Sequence, residues 1–247
     1  FRKYQLKKEN KLFNKISNGV SINNNEIPIA IKILNHKKCN DIIKITIILR
    51  LFRFVSNGKE EQDIFRENKG IKILIDLLET ESKTVKIATL KALSEAAFRN
   101  TKNQNQIREY NGLEILTKLL KDPSERVRLW STHTIATIVI DNIGNQNSIL
   151  ESKGLICLIM NLYTDPKTKV RIKSAYAIAM CCREHKENKI LTRDLAAIDE
   201  AISLVRNNDV EKQKAGEIII KHYASSKDQY DELMNTALKK KSYAILR

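Results

Sequence analysis

The side chains with the strongest intrinsic chemistry are four cysteines, Cys39, Cys157, Cys181 and Cys182, and four histidines. A tetrahedral metal site needs thiolates and imidazoles paired at short, regular spacing. None of these cysteines has a companion at such a spacing. Cys157 lies inside the apolar run Leu155-Ile156-Cys157-Leu158-Ile159, and Cys181-Cys182 follows the Ala-rich stretch Tyr176-Ala177-Ile178-Ala179-Met180. They read as buried free thiols of a reducing compartment, with no metal and no cofactor. Nucleophilic and phosphoryl-transfer chemistry is equally unprovided for. The chain has no Gly-rich phosphate loop, no His-x-x-x-His pair, no nucleophile elbow and no paired carboxylates in a recognisable cleft. No catalytic residue is assigned, and an enzyme is not expected.

The charge balance points instead to binding. Lys and Arg number 44 against 29 Asp and Glu, a net charge of +15 and a sequence pI near 9.6. Such a field favours acidic partners, whether nucleic acid, an anionic membrane surface or an acidic peptide, and it also keeps an extended surface soluble. No run of apolar residues is long enough to span a bilayer, and no secretory signal is visible. The chain starts at Phe1 rather than Met. A preceding segment, with any lipid-attachment signal it carries, is therefore expected.

The elements that must position these residues repeat. Gly70, Gly112 and Gly154 stand 42 residues apart, each opening an apolar run of helical spacing such as Ile71, Leu74, Ile75 and Leu78. Ahead of each glycine a polar stretch precedes an isoleucine taken as the start of a short helix: Ile64, Ile107, Ile149 and, in a fourth unit, Ile190. Behind it comes a break, Asp122-Pro123 or Asp165-Pro166, with Asp as the expected N-cap and Pro as the first helical residue. Val85, Val127 and Val170 then head a longer third helix. The glycine is expected to supply a left-handed bend between the first two helices. The strand-like run Ile42–Leu49 shares the phase of the third helices, so it too is expected to be helical. The fold class is all-α, a solenoid in which each unit buries its apolar face against its neighbours. The boundaries read from this phase are a basic cap over 1–21, repeats over 22–63, 64–106, 107–148, 149–189 and 190–226, and a closing helix over 227–247. The fifth repeat is looser, with Ala196 in the glycine's place and Lys214 where a small residue is expected.

These landmarks resemble the armadillo repeat: a polar start, Ile, Gly, a Leu/Ile-rich second helix, and Val heading a third helix of small residues (Ala88 and Ala92; Ser131 and Thr134; Ser174, Ala175 and Ala177). The resemblance covers roughly 22–226 and implies a superhelical solenoid of about five repeats with a concave groove lined by the third helices. In adaptors of this family an Asn ladder and Trp side chains grip an extended peptide there. The matching positions here hold Glu95, Thr137 and Met180 for the ladder, and Lys91, His133 and Tyr176 for the Trp. A nuclear-import adaptor for basic signals is therefore not expected. The groove-facing set is Arg53, Lys91, Glu95, Arg99, Trp130, His133, Thr137, Lys173, Tyr176, Met180 and Arg183, with Trp130 and Tyr176 as aromatic anchors. His133 reads as a polar groove residue with scope for pH sensitivity.

The Lys/Asn/Ile-rich composition and small size are also similar to the armadillo-repeats-only family of apicomplexan parasites. That resemblance implies a cytoplasmic scaffold on the cytosolic face of an organelle, the rhoptry. It would be tethered to the membrane by an acylated N-terminus and bind a myosin motor and an adenylate cyclase. Arg2, Lys3, Lys7, Lys8, Lys11 and Lys15 would then lie next to the membrane. The competing class is a basic helical solenoid that binds nucleic acid, tubulin or another acidic polymer. Of these, nucleic acid is the less expected partner.

Overall fold

The computed structural model describes residues 11, 12, 14, 15, 21–36, 39–80 and 82–244. Arg2, Lys3, Lys7 and Lys8 lie outside the described residues. A 3-10 turn at Asn24–Glu26 is followed by α1 (Ile27–Leu34), α2 (Asp41–Val55), α3 (Lys59–Glu67), α4 (Gly70–Leu77), α5 (Lys83–Ala97), α6 (Thr101–Glu109), α7 (Gly112–Leu119) and α8 (Glu125–Val139). Then come α9 (Ile143–Glu151), α10 (Gly154–Thr164), α11 (Thr168–Cys182), α12 (Lys186–Asp194), α13 (Ala197–Val205), α14 (Val210–Tyr223) and α15 (Lys227–Ala244). Among the described residues there is no strand. Two compact units form, one ending at Ile115 and the other starting at Leu116.

The run Ile42–Leu49 is helical. Asn40 caps α2 by accepting from the Ile43 N–H at 3.0 Å, and the buried residues Ile47, Ile48, Leu51, Phe54 and Val55 recur at helical spacing. Burying each such side chain contributes about 1.5–3 kcal/mol, more than the sub-kcal/mol β preference of these residues.

The glycines recur for a different reason from the expected one. The left-handed residue is the one before each glycine: Lys69, Asn111 and Lys153 have φ of 65°, 57° and 60°. The glycine itself is the first helical residue, and it is needed because its Cα presses on the preceding helix. A Cβ on Gly112 would lie 2.6 Å from Ile107 Cγ2, one on Gly154 would lie 2.6 Å from Thr117 Oγ1 and overlap Ile149, and one on Gly70 would fall within the Phe65 ring. In the following repeat Ala196 takes the left-handed position with φ 55°, so the bend there is the same. The glycine's counterpart is Ala197, and its counterpart five residues earlier is the smaller Thr192; both are buried.

Three further expectations are corrected. The first helices start well before the isoleucines, so the polar Asn/Gln stretch lies inside them. The buried phase residue of α3 is Phe65 rather than Ile64, and in α12 it is Thr192, with Ile190 40% exposed. Asp122 and Asp165 do not cap the third helices. Each closes a turn by accepting, through Oδ1, the N–H two residues on (Ser124 at 2.8 Å, Lys167 at 2.9 Å), and Pro123 and Pro166 precede the N-cap. In the fifth repeat the place expected for a small residue at Lys214 is filled instead by Ala215 and Gly216, which are buried while Lys214 is exposed.

Candidate functional site

The third helices pack on one another within each unit: α2 on α5 in the first, and α8, α11 and α14 in succession in the second. Small buried residues allow this approach, namely Ser131 and Thr134 on α8, Ser174, Ala175 and Ala177 on α11, and Ala215 and Gly216 on α14. A Cβ on Gly216 would come within 2.8 Å of the Val205 amide nitrogen, so α14 meets the backbone of α13 directly.

None of the eleven sequence-predicted groove residues is buried. In the first unit Arg53 on α2 is exposed, and Lys91 and Glu95 on α5 are half-buried. Arg99 follows α5 with φ 54°, its guanidinium 5.2 Å from the Phe98 ring centre. In the second unit Trp130, His133 and Thr137 form one stripe of α8, and Lys173, Tyr176 and Met180 form the same stripe of α11. Trp130 and His133 meet edge to face, with ring centres 5.3 Å apart and planes at 83°. The Lys173 ammonium sits 5.7 Å from the Tyr176 ring centre. Arg183, just past α11, pairs with Asp141 at 3.1 Å, so its charge is partly answered within the chain. Thr137 donates its hydroxyl to the His133 carbonyl at 3.0 Å rather than outward.

The electrostatics of the second-unit stripe are those of a desolvated basic surface. Burial lowers the Lys173 pKa. Burial, and then the nearby Lys173 charge, lower that of His133, which favours a neutral imidazole. Lys173, Tyr176, Lys169 and Lys214 line a cleft of about 440 Å³ together with Leu129, Ile172 and Glu211. At the N-terminal end, Lys15 is held in an ion pair with Glu26 at 2.6 Å, whereas Lys11 is exposed.

A second set of residues escaped the sequence reading. Inside the first helices, buried amides tie one repeat to the next. Gln62 donates through Nε2 to the carbonyls of Glu95 (2.9 Å) and Phe98 (3.2 Å), and Gln146 donates in the same way to Met180 (3.0 Å) and Arg183 (3.1 Å). Asn103 donates to Ala96 O (2.7 Å) and Gln62 O (3.2 Å), and Asn188 to Cys181 O (2.7 Å) and Gln146 O (3.2 Å). Asn145 makes the 2.7 Å bond to Ile138 O. These donors satisfy the orphan carbonyls at the ends of the third helices, where the chain turns extended at Phe98, Ile140 and Arg183. They thereby hold the groove positions Glu95 and Met180 by their backbones. The signal was present in the 42- and 43-residue spacing of Asn103, Asn145 and Asn188, hidden because a polar stretch ahead of an apolar run carries no local sign of being covered.

Solved structures superimpose on this stack of helices. A designed armadillo repeat protein superimposes with a TM-score of 0.77 at 24% identity, over 87% of this chain and 91% of its own. The fold is the armadillo fold. A second designed armadillo repeat protein, solved in complex with the peptide (KR)4, aligns with a TM-score of 0.76 at 22% identity, over 86% of this chain and 87% of its own. The armadillo repeats only protein from Plasmodium falciparum aligns with a TM-score of 0.69 at 17% identity, over 89% of this chain and 98% of its own. No family model and no curated protein matches the sequence. Among the described residues no helix is long and apolar enough to cross a membrane.

Proposed function

We propose that the chain is a non-enzymatic scaffold whose third-helix face docks extended segments of protein partners. The observation that carries this is the parallel stripe on α8 and α11, where Trp130 packs on His133 and Tyr176 lies under the Lys173 ammonium, both half-exposed on an amide-clamped framework. Trp and Tyr are among the side chains that most often dominate interface energy. The armadillo fold, with one similar designed protein solved around a peptide, supports the same reading. Selection from a displayed peptide library tests it. Enriched peptides should lose roughly tenfold or more in affinity on Trp130→Ala and on Tyr176→Ala. If both substitutions are silent, the groove reading is abandoned.

A narrower form of this scaffold tethers the rhoptry membrane to a myosin motor and an adenylate cyclase through an acylated N-terminal segment. Supporting it are the likeness to the armadillo repeats only protein from Plasmodium falciparum and the basic run from Arg2 to Lys15. In this form Lys11, rather than the Glu26-paired Lys15, is the described cation available to a membrane. Proximity labelling from the tagged full-length protein in its own cell should recover both partners at the rhoptry. Recovery of neither removes this narrower form and leaves the scaffold. The competing polyanion reading rests on the +15 net charge, and it requires binding that falls steeply with salt regardless of sequence.

A further inference from the structure

We infer that the cleft between α11 and α14 is a specificity pocket for an acidic, aliphatic-bearing peptide segment, in which an apolar side chain enters between two carboxylates. This rests on the groove reading above and names its ligand. The floor of the cleft is apolar: Leu129 from α8 and Ile172 and the Tyr176 ring from α11. Its rim carries three ammonium groups, Lys169 and Lys173 one turn apart on α11 and Lys214 on α14, against the single carboxylate of Glu211. Three positive charges against one negative leave the rim with an excess of two. Lys173 is half-buried and makes no ion pair among the described residues. Its charge is held over the face of Tyr176 at 5.7 Å.

An ammonium already stripped of part of its water, with no carboxylate of its own, gains more from an incoming carboxylate than a fully hydrated one does. The desolvation cost is already met by the fold. The spacing also suits an extended ligand. Successive side chains of an extended peptide diverge, so a leucine enters the floor while the carboxylates on either side of it stay outside the cleft, where the long side chains of the exposed Lys169 and Lys214 reach them. The charge is the reverse of what an alternating Lys/Arg peptide such as (KR)4 would need.

The test uses the whole chain and fluorescence anisotropy at about 150 mM salt, where long-range attraction is screened. The probe is a labelled octapeptide of alternating glutamate and leucine, with (KR)4 and a single-stranded oligonucleotide as competitors. The octapeptide is expected to bind. The double variant Lys169→Glu/Lys214→Glu, at two exposed positions, should weaken it roughly tenfold, while Lys186→Glu, an exposed lysine on α12 outside the cleft, should change it less than about twofold. Circular dichroism confirms that each variant is folded. No binding by the octapeptide, or binding indifferent to the double variant, overturns the proposal. So does displacement by the oligonucleotide that Lys186→Glu weakens as much as the double variant does, which would assign the site to a polyanion. Binding of (KR)4 that is lost on Trp130→Ala overturns the acidic ligand but leaves the groove standing. Silence of Trp130→Ala and Tyr176→Ala towards every peptide removes the groove itself.

Discussion

At Gly154 an added methyl group would stand 2.6 Å from Thr117 Oγ1 and overlap Ile149, both packed under the start of α10. Gly154→Ala is therefore expected to cost about 1–3 kcal/mol, read as a lower thermal midpoint, because neither neighbour has free volume to retreat into. Ala196 presents the opposite case. It is a Cβ-bearing residue at φ 55° with no side-chain polar group to help it there. Ala196→Gly should raise stability by about 0.5–1 kcal/mol, the relief of left-handed strain exceeding the added freedom of the unfolded chain. A melting curve unchanged or lowered by this substitution would mean that the bend is not strained. The glycine period was legible in the sequence, but its cause was not. A recurring glycine signals either a positive φ or a close approach, and only coordinates distinguish the two.

Among the helices, buried polar links join one repeat to the next. Asn103 contributes two buried donors to carbonyls of α5 and α3. Asn103→Ala would strand the Ala96 carbonyl, whereas Gln62 O keeps its partner within α3, and is expected to cost about 1–3 kcal/mol in denaturant unfolding; a loss below about 0.5 kcal/mol would show that water replaces the amide. Arg128 on α8 reaches the turn before α11 and pairs with Asp165, Nε to Oδ2 at 2.6 Å and Nη2 to Oδ1 at 3.0 Å. The two side chains are 13% and 2% exposed, and the hydrogen bonds that Arg128 donates to Asp165 raise the Arg128 pKa despite burial. Asp165→Ala should destabilise by about 3 kcal/mol, and in a double-mutant cycle with Arg128→Ala most of that loss should be shared. Additive losses would dismiss the pair as a link. The helix triplets were readable because apolar spacing reports which face of each helix is covered. The links were not, since an Asn or Gln in a polar stretch looks solvated until a neighbouring helix covers it.

Across the molecule, titration should define a plateau of stability. Burial holds His133 and His222 below the ordinary imidazole pKa, so below about pH 6.5 the unfolded chain takes up protons that the folded chain resists, and stability falls on acidification. Burial raises the thiols in the other direction: Cys181 lies well above its ordinary value and Cys182 reaches about 11. Above about pH 8.5 the unfolded thiols ionise while the folded ones do not, so stability falls again. The same burial predicts that Cys181 and Cys182 react with a thiol reagent only as fast as the chain unfolds, and rapid labelling of the native protein would contradict it. The sequence by itself determined an all-α repeat with a 42-residue period and a third-helix face that leaves Trp130 and Tyr176 partly open, because the period and phase of apolar residues directly encode which surfaces are buried. Only the tertiary structure decided why the glycines recur, which amides clamp the repeats, that Asp165 answers Arg128, and that Lys169, Lys173 and Lys214 converge on one apolar cleft. The glycine contacts depend on how two successive helices cross, and the others on distances between residues some 35–45 apart along the chain, set by how one helix packs on the next rather than by any local pattern.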